Sequence, residues 1–253
     1  MDALRHRGLP HAAVVMTPET ATVHVDEIFL SLQGEGLEVG RPQLFLRLGG
    51  CPLRCTYCDT PRSWQASGSL SIQEIEAELD RLLHEAGLRR EQIMLSVTGG
   101  EPLEQVDFLA AWLPTWGGLV LLETAGVYAA KLRLLLPYVH LLSLDWKLPN
   151  TVRQGESLLE PAACLAVAVV SGVAVQVKLV VTAMTTRAEL EDAFAAIAKI
   201  SPGCTVFLQP VTQFGAGPGP PTGKQLLDWS LQLFHFHLDL RVLPQIHPML
   251  GIR

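Results

Sequence analysis

Three cysteines stand within eight residues, at Cys51, Cys55 and Cys58. Thiolates are the usual ligands of iron–sulfur clusters. Three from one short loop can hold three irons of a cubane and leave the fourth open to another ligand. Zinc wants four ligands, commonly in two pairs, and this loop offers no fourth Cys or His. A distant residue completing a zinc knuckle, or three unrelated thiols, remain open as alternatives. The chain has five cysteines, an odd count, and their crowding suits a metal site in a reducing compartment better than a disulfide framework. Cys164 sits in an apolar helical stretch and Cys204 before a strand, where buried free thiols are common and no ligand role is expected.

The elements around this loop must position it. From residue 43 onward, strand-like runs (43–48, 93–97, 119–123, 140–144, 173–181, 205–209, 240–243) alternate with helical ones (71–87, 103–113, 128–136, 158–170, 187–200, 222–236). Ser71 with Glu74 reads as a capping box, and Gly87 as the stop of that helix. Such alternation implies a parallel α/β sheet, and six β/α units suit an open barrel. The 49% hydrophobic content of the 253 residues fits strands buried on both faces. Ligands bind at the C-terminal ends of such strands, where the polar clusters fall: 51–60, 98–102, 123–126, 145–147 and 209–212. Two glycines at 99 and 100 let backbone approach a ligand closely. A single domain over 23–253 is expected, after an N-terminal extension over 1–22, with 215–221 as a flexible cover. The net charge of −6 argues against a nucleic-acid footprint. The longest apolar run, 162–175, is broken at Ser171-Gly172 and falls short of the roughly 20 residues of a membrane span. The stretch 12–16 is too short for a signal-peptide core. No nucleic-acid or membrane partner is expected.

The cysteine spacing, with Tyr57 just before Cys58, and Thr98-Gly99-Gly100-Glu101-Pro102 one β/α unit later resemble the radical S-adenosylmethionine (SAM) superfamily. The resemblance implies an incomplete (β/α)6-type barrel and a [4Fe–4S] cluster on Cys51, Cys55 and Cys58, whose open iron SAM chelates. The reduced cluster of that superfamily splits SAM into methionine and a 5′-deoxyadenosyl radical, which abstracts hydrogen from substrate. Glu27-Ile28-Phe29, Ser31-Leu32-Gln33-Gly34-Glu35-Gly36, Arg47, Gly50-Cys51, Cys58-Asp59-Thr60, Pro244-Gln245-Ile246-His247 and Leu250-Gly251 are together similar to the 7-carboxy-7-deazaguanine synthase family, over about residues 23–253. Pro248 stands where that family often has lysine, and Asp145-Trp146-Lys147 where many members have Ser-Pro-Lys.

That family converts 6-carboxy-5,6,7,8-tetrahydropterin to 7-carboxy-7-deazaguanine with loss of ammonia, on the way to queuosine. By resemblance Leu32, Gln33, Gly34, Arg47, Thr98 and His247 hold the pterin. A Gln amide both donates and accepts at a pterin edge, and an Arg fork clamps a carboxylate. SAM falls to Tyr57, Cys58, Asp59, Gly100, Glu101, Asp145, Trp146, Lys147, Gln209, Pro210, Val211 and Thr212, with Glu101 facing the methionyl ammonium. Thr60 is implied as a magnesium ligand; its residue type alone reads as a turn before Pro61. A flavodoxin- or ferredoxin-like reductant, a homodimer and a cytoplasmic location are also implied. The rivals are a glycyl-radical-enzyme activase, another radical SAM enzyme, and a non-enzymatic metal-binding protein. Gln33 and Arg47 favour a small polar substrate over a protein one.

Overall fold

The computed structural model describes residues 22–66, 68–214 and 217–252. The expected N-terminal extension lies outside the described residues as far as residue 21, as do Gly215 and Ala216 of the expected cover loop. The strands are β1 Thr22–Leu32, β2 Pro42–Leu48, β3 Ser69–Ser71, β4 Met94–Gly99, β5 Val120–Thr124, β6 Leu141–Asp145, β7 Ala174–Val181, β8 Thr205–Pro210 and β9 Asp239–Val242. The helices are α1 Ile72–Ala86, α2 Val106–Trp116, α3 Ala129–Leu135, α4 Pro161–Ser171, α5 Arg187–Ile200, α6 Gly223–Leu233 and the single turn α7 His247–Leu250.

All nine strands join one sheet in the order β3-β1-β2-β4-β5-β6-β7-β8-β9. Every pairing from β2 to β9 is parallel. Helices α1 to α6 supply the six crossovers, and β3 and β9 end the sheet unpaired to each other, so the barrel is incomplete as expected. The apolar runs explain the parallel part. Leu95, Val97, Leu122, Leu142, Leu144, Val177, Leu179, Val206 and Leu208 are fully buried at the common core.

Local chemistry sets the helix ends. Ser71/Glu74, Thr186/Glu189 and Thr222/Gln225 form reciprocal capping boxes at α1, α5 and α6. Gly87 in the left-handed conformation stops α1. The second helix starts later than expected because Pro102 opens a separate 3₁₀ turn, Pro102–Gln105, before α2. The fourth starts at Pro161, whose missing N–H costs nothing in the first turn. Sequence reading missed β1, an antiparallel edge strand with a register shift between Val25 and Glu27, and the three-residue β3 paired to it.

Candidate active site

The cysteine loop leaves β2 and is fixed before any ligand arrives. Arg54 N and Thr56 N donate to Gln154 O (3.0 Å) and Thr151 O (2.8 Å), and Arg153 N donates back to Arg54 O (2.8 Å). Arg54 Nη1 closes the loop on the carbonyls of Cys51 (2.7 Å) and Leu53 (2.8 Å). The three thiols are half-buried and line one cleft. Burial pushes the Cys51 thiol up to about 12 and raises Cys55 as well. Both need the positive charge of bound metal to ionise, so loading releases protons. Among the described residues no group of three or more His, Cys, Asp or Glu is placed to hold a single metal ion. A cubane needs one thiolate on each of three irons, not three converging on a point.

Gly99 and Gly100 bring strand β4 against this loop. Gly100 N donates to Leu48 O (2.9 Å) and Glu101 N to Gly50 O (2.8 Å). A Cβ on Gly100 would fall 2.1 Å from Gly50 O, and one on Gly99 2.3 Å from Leu48 backbone, where φ is also +134°. The glycines thus serve contact between two backbone segments, and Gly100 still faces the cleft.

A chain of buried charges floors the cleft. Lys178 on β7 pairs with Glu35, from the loop after β1, and with Asp145 at 3.3 Å. Lys147 pairs with Asp145 at 2.8 Å and meets Tyr57 Oη at 3.2 Å. Glu35 Oε1 accepts from Gln209 (2.9 Å) and Gln245 (2.7 Å). Burial works to raise the Glu35 carboxyl, but the Lys178 charge and the hydrogen bonds from Lys178, Gln245 and Gln209 win and hold it below the usual range. Glu123 goes the other way. Burial and the neighbouring Glu35 charge raise it against Lys178, Gln33 and Thr98. Its oxygens accept from Gln33 Nε2 and Thr98 Oγ1, both at 3.0 Å.

Two cleft-lining side chains carry buried polar atoms without a hydrogen-bond partner: Arg47 Nε and Asp145 Oδ1. Glu27 lies 3.9 Å from Arg47 Nε but is held by Arg62 at 2.7 Å. Phe29 and Phe45 stack at 4.8 Å and 5° beside Arg47, and His247 packs on Gly34, where a Cβ would meet Nδ1 at 2.1 Å. Burial lowers the His247 imidazole below its usual value.

The structure brings Leu32, Gln33, Gly34, Arg47, Thr98 and His247 into this cleft with Tyr57, Cys58, Asp59, Thr60, Gly100, Asp145, Lys147, Gln209, Val211 and Thr212. Three of the expected residues lie outside the cleft lining. Glu101 is fully buried and turned into the protein, accepting from Leu103 N (3.0 Å), Thr124 Oγ1 (2.8 Å) and Ala125 N (2.8 Å). It braces the ends of β4 and β5 and does not line the cleft. Trp146 packs in the hydrophobic core because alternation along the chain turns it away from Asp145 and Lys147. Pro210 closes β8 opposite Val181 and does not line the cleft. Sequence reading assigned no role to Glu35, Glu123, Lys178 or Gln245. A charged residue inside an apolar strand, as in 120–124 and 174–181, was the available signal for two of them.

The chain matches the radical SAM superfamily over residues 46–114. It is 31% identical to the 7-carboxy-7-deazaguanine synthase of Geobacter sulfurreducens, over 90% of this chain and 96% of that one. It is also 31% identical to the 7-carboxy-7-deazaguanine synthase of Methanopyrus kandleri, over 91% and 94%. Its fold superposes on the crystal structure of QueE from Escherichia coli with a TM-score of 0.60, at 22% identity, covering 91% of this chain and 99% of that one.

Proposed function

The chain belongs to the 7-carboxy-7-deazaguanine synthase family, and from that premise we propose that it converts 6-carboxy-5,6,7,8-tetrahydropterin to 7-carboxy-7-deazaguanine with loss of ammonia. It is a radical SAM enzyme whose cofactors are a [4Fe–4S] cluster and SAM. The observation that carries the substrate assignment is the cleft itself: three thiols share it with an orphaned guanidinium Nε and an orphaned carboxylate oxygen. Buried polar groups without partners are costly. Arg47 is ready for an anion, and Asp145 for an N–H or O–H donor.

Cys51, Cys55 and Cys58 would hold the cluster, with Tyr57, Asp59, Gly100, Asp145, Lys147, Gln209, Val211 and Thr212 on the SAM side. Bound together, cluster and SAM supply the reductive cleavage that starts hydrogen abstraction. The protein's part is placement. Arg47 clamps the pterin carboxylate, and Phe29 and Phe45 add apolar surface beside it. Glu123, oriented by Gln33 and Thr98, accepts from the polar ring edge, and His247, kept neutral by burial, adds a hydrogen bond. Thr60 suits magnesium through its hydroxyl. It opens the 3₁₀ turn Pro61–Trp64 without using that hydroxyl as a cap, and the hydroxyl lies 3.2 Å from Asp59, a second oxygen donor.

An acidic flavodoxin- or ferredoxin-like reductant is supported by exposed Arg153, hydrogen-bonded to the cysteine loop. Arg153→Glu should slow reduction by flavodoxin and leave dithionite-driven turnover unchanged; equal rates with flavodoxin would remove this docking site. A homodimer is supported by Leu227, Leu231 and Phe234, which form an exposed stripe on α6 and its end next to the open edge of β9. Antiparallel pairing of two β9 strands would set Asp239 of each copy against Arg241 of the other, a self-complementary register. Free thiols and a reductant-dependent cluster support a cytoplasmic location, which cell fractionation tests. No helix among the described residues is long and apolar enough to cross a membrane. Calorimetric titration of the SAM-loaded holoenzyme with the carboxypterin tests the substrate reading. Saturable binding is expected, and no binding would overturn it.

A further inference from the structure

The loop after β1 and strand β7 lie far apart in the sheet order, yet Glu35 of that loop meets Lys178 across the barrel mouth. Lys178 is also the register partner of Asp145 on the neighbouring strand β6, and its ammonium lies 3.3 Å from that carboxylate. One buried ammonium thus holds a carboxylate from the substrate side and another from the SAM side. Each carboxylate holds something further. Glu35 accepts from Gln209 and Gln245, and Asp145 accepts from Lys147, which reaches Tyr57.

We propose that Lys178 is a positioning residue for the reaction: its ion pair holds Glu35 in place, and Glu35 in turn sets Gln245 and the C-terminal turn carrying His247 against the substrate. This rests on the substrate reading above.

The partners of Lys178 are not equivalent. Asp145 keeps a second cation, Lys147, if Lys178 is lost. Glu35 keeps only neutral donors, Gln209 and Gln245. The other charged groups acting on this cluster are Glu123, Lys147, Asp59, Arg47 and the His247 ring. Glu123 is acidic, and none of the cations contacts Glu35 among the described residues. Without Lys178, burial is therefore opposed only by amide hydrogen bonds, and the Glu35 carboxyl rises above its ordinary value. A second tether spans the same gap, since Gln176 Oε1 accepts from Leu37 N at 2.7 Å. Loss of Lys178 therefore need not open the barrel.

The sign follows. In the wild type Glu35 titrates below its ordinary value, so its contribution to stability is present through the neutral range and fades only in acid. In Lys178→Met the carboxyl titrates above that value, so stability falls as pH rises through the raised value. A role confined to packing predicts no such change of slope. Removing both charges should largely cancel the defect, because an unpaired buried charge costs more than a missing pair.

The experiment measures melting temperature from pH 6 to pH 8.5 and carboxypterin affinity by calorimetry with SAM, on anaerobically reconstituted holoenzyme. Four chains are compared: wild type, Lys178→Met, Lys178→Arg, and Lys178→Met with Glu35→Gln. Lys178→Met should melt progressively earlier as pH rises, and bind the pterin at least several-fold more weakly than wild type at pH 8. The loss should shrink toward pH 6. Lys178→Arg should keep the wild-type pH profile, and the double variant should lose the steep one. Identical profiles for Lys178→Met and wild type would overturn the proposal. If Lys178→Met does not fold, the double variant is expected to fold; failure of both would assign Lys178 to packing alone. Wild type that fails to bind pterin would sink the substrate reading while leaving the melting profiles to judge Lys178.

Discussion

Replacing Glu101 with glutamine separates two accounts of the Gly-Gly-Glu-Pro turn. The carboxylate is fully buried and accepts two backbone N–H groups and the Thr124 hydroxyl. Burial pushes its carboxyl from 4.5 up to about 7, with those hydrogen bonds holding it back from going further. The folded protein therefore keeps a proton that the unfolded chain has already lost. The stability this gives is full below the unfolded value near 4.5 and is lost as pH rises through about 7. At about 1.4 kcal/mol for each pH unit of that gap, the loss is on the order of 3 kcal/mol. Glu101→Gln cannot ionise. Its unfolding free energy should lack this component, so the difference between wild type and variant should drift by about that amount between pH 5 and pH 8. Urea unfolding at several pH values, followed by tryptophan fluorescence, reads it. SAM affinity should stay within a few-fold of wild type, because Glu101 faces the protein. Parallel pH profiles together with a tenfold or greater loss of SAM affinity would refute the reasoning and return Glu101 to the methionyl ammonium.

Cys55→Ala should lose the cluster and all SAM cleavage, while Cys164→Ala, in the core of α4 and bonded to Val127 O at 3.6 Å, should keep both; iron content and 5′-deoxyadenosine yield decide. Thr60→Val should keep its iron and lose most magnesium stimulation of turnover, and equal stimulation would leave Thr60 a turn residue. Arg47→Ala should weaken carboxypterin binding by on the order of 2–5 kcal/mol and leave SAM binding nearly unchanged, as calorimetry would show. Leu231→Glu should convert a dimer to monomer in sedimentation; an unchanged wild-type dimer would move the interface away from α6 and β9.

Much of the scaffold was legible because its signals are local. Apolar runs such as 140–144 and 173–181 read as strands buried on both faces, and Ser71 with Glu74 announces its helix through a capping box. Strand β1 was not, because its polar residues interrupt the apolar ones and its register shifts midway. The cysteine loop was visible for the same reason as the helices, since its ligands are close in sequence. Lys178 and Glu35 are separated by 143 positions, and nothing in the spacing of either says that they meet. Only the curvature of the open sheet brings them together. Glu101 shows the converse limit. The motif placed its backbone beside the cleft, but the direction of its side chain was decided by two backbone N–H groups needing an acceptor.

The most direct test is turnover by the anaerobically reconstituted protein with SAM, magnesium, a reductant and 6-carboxy-5,6,7,8-tetrahydropterin. The account predicts 7-carboxy-7-deazaguanine and ammonia in equal amounts. Cleavage of SAM to 5′-deoxyadenosine with the pterin left intact would contradict it, and would make this cleft the site of a different radical reaction.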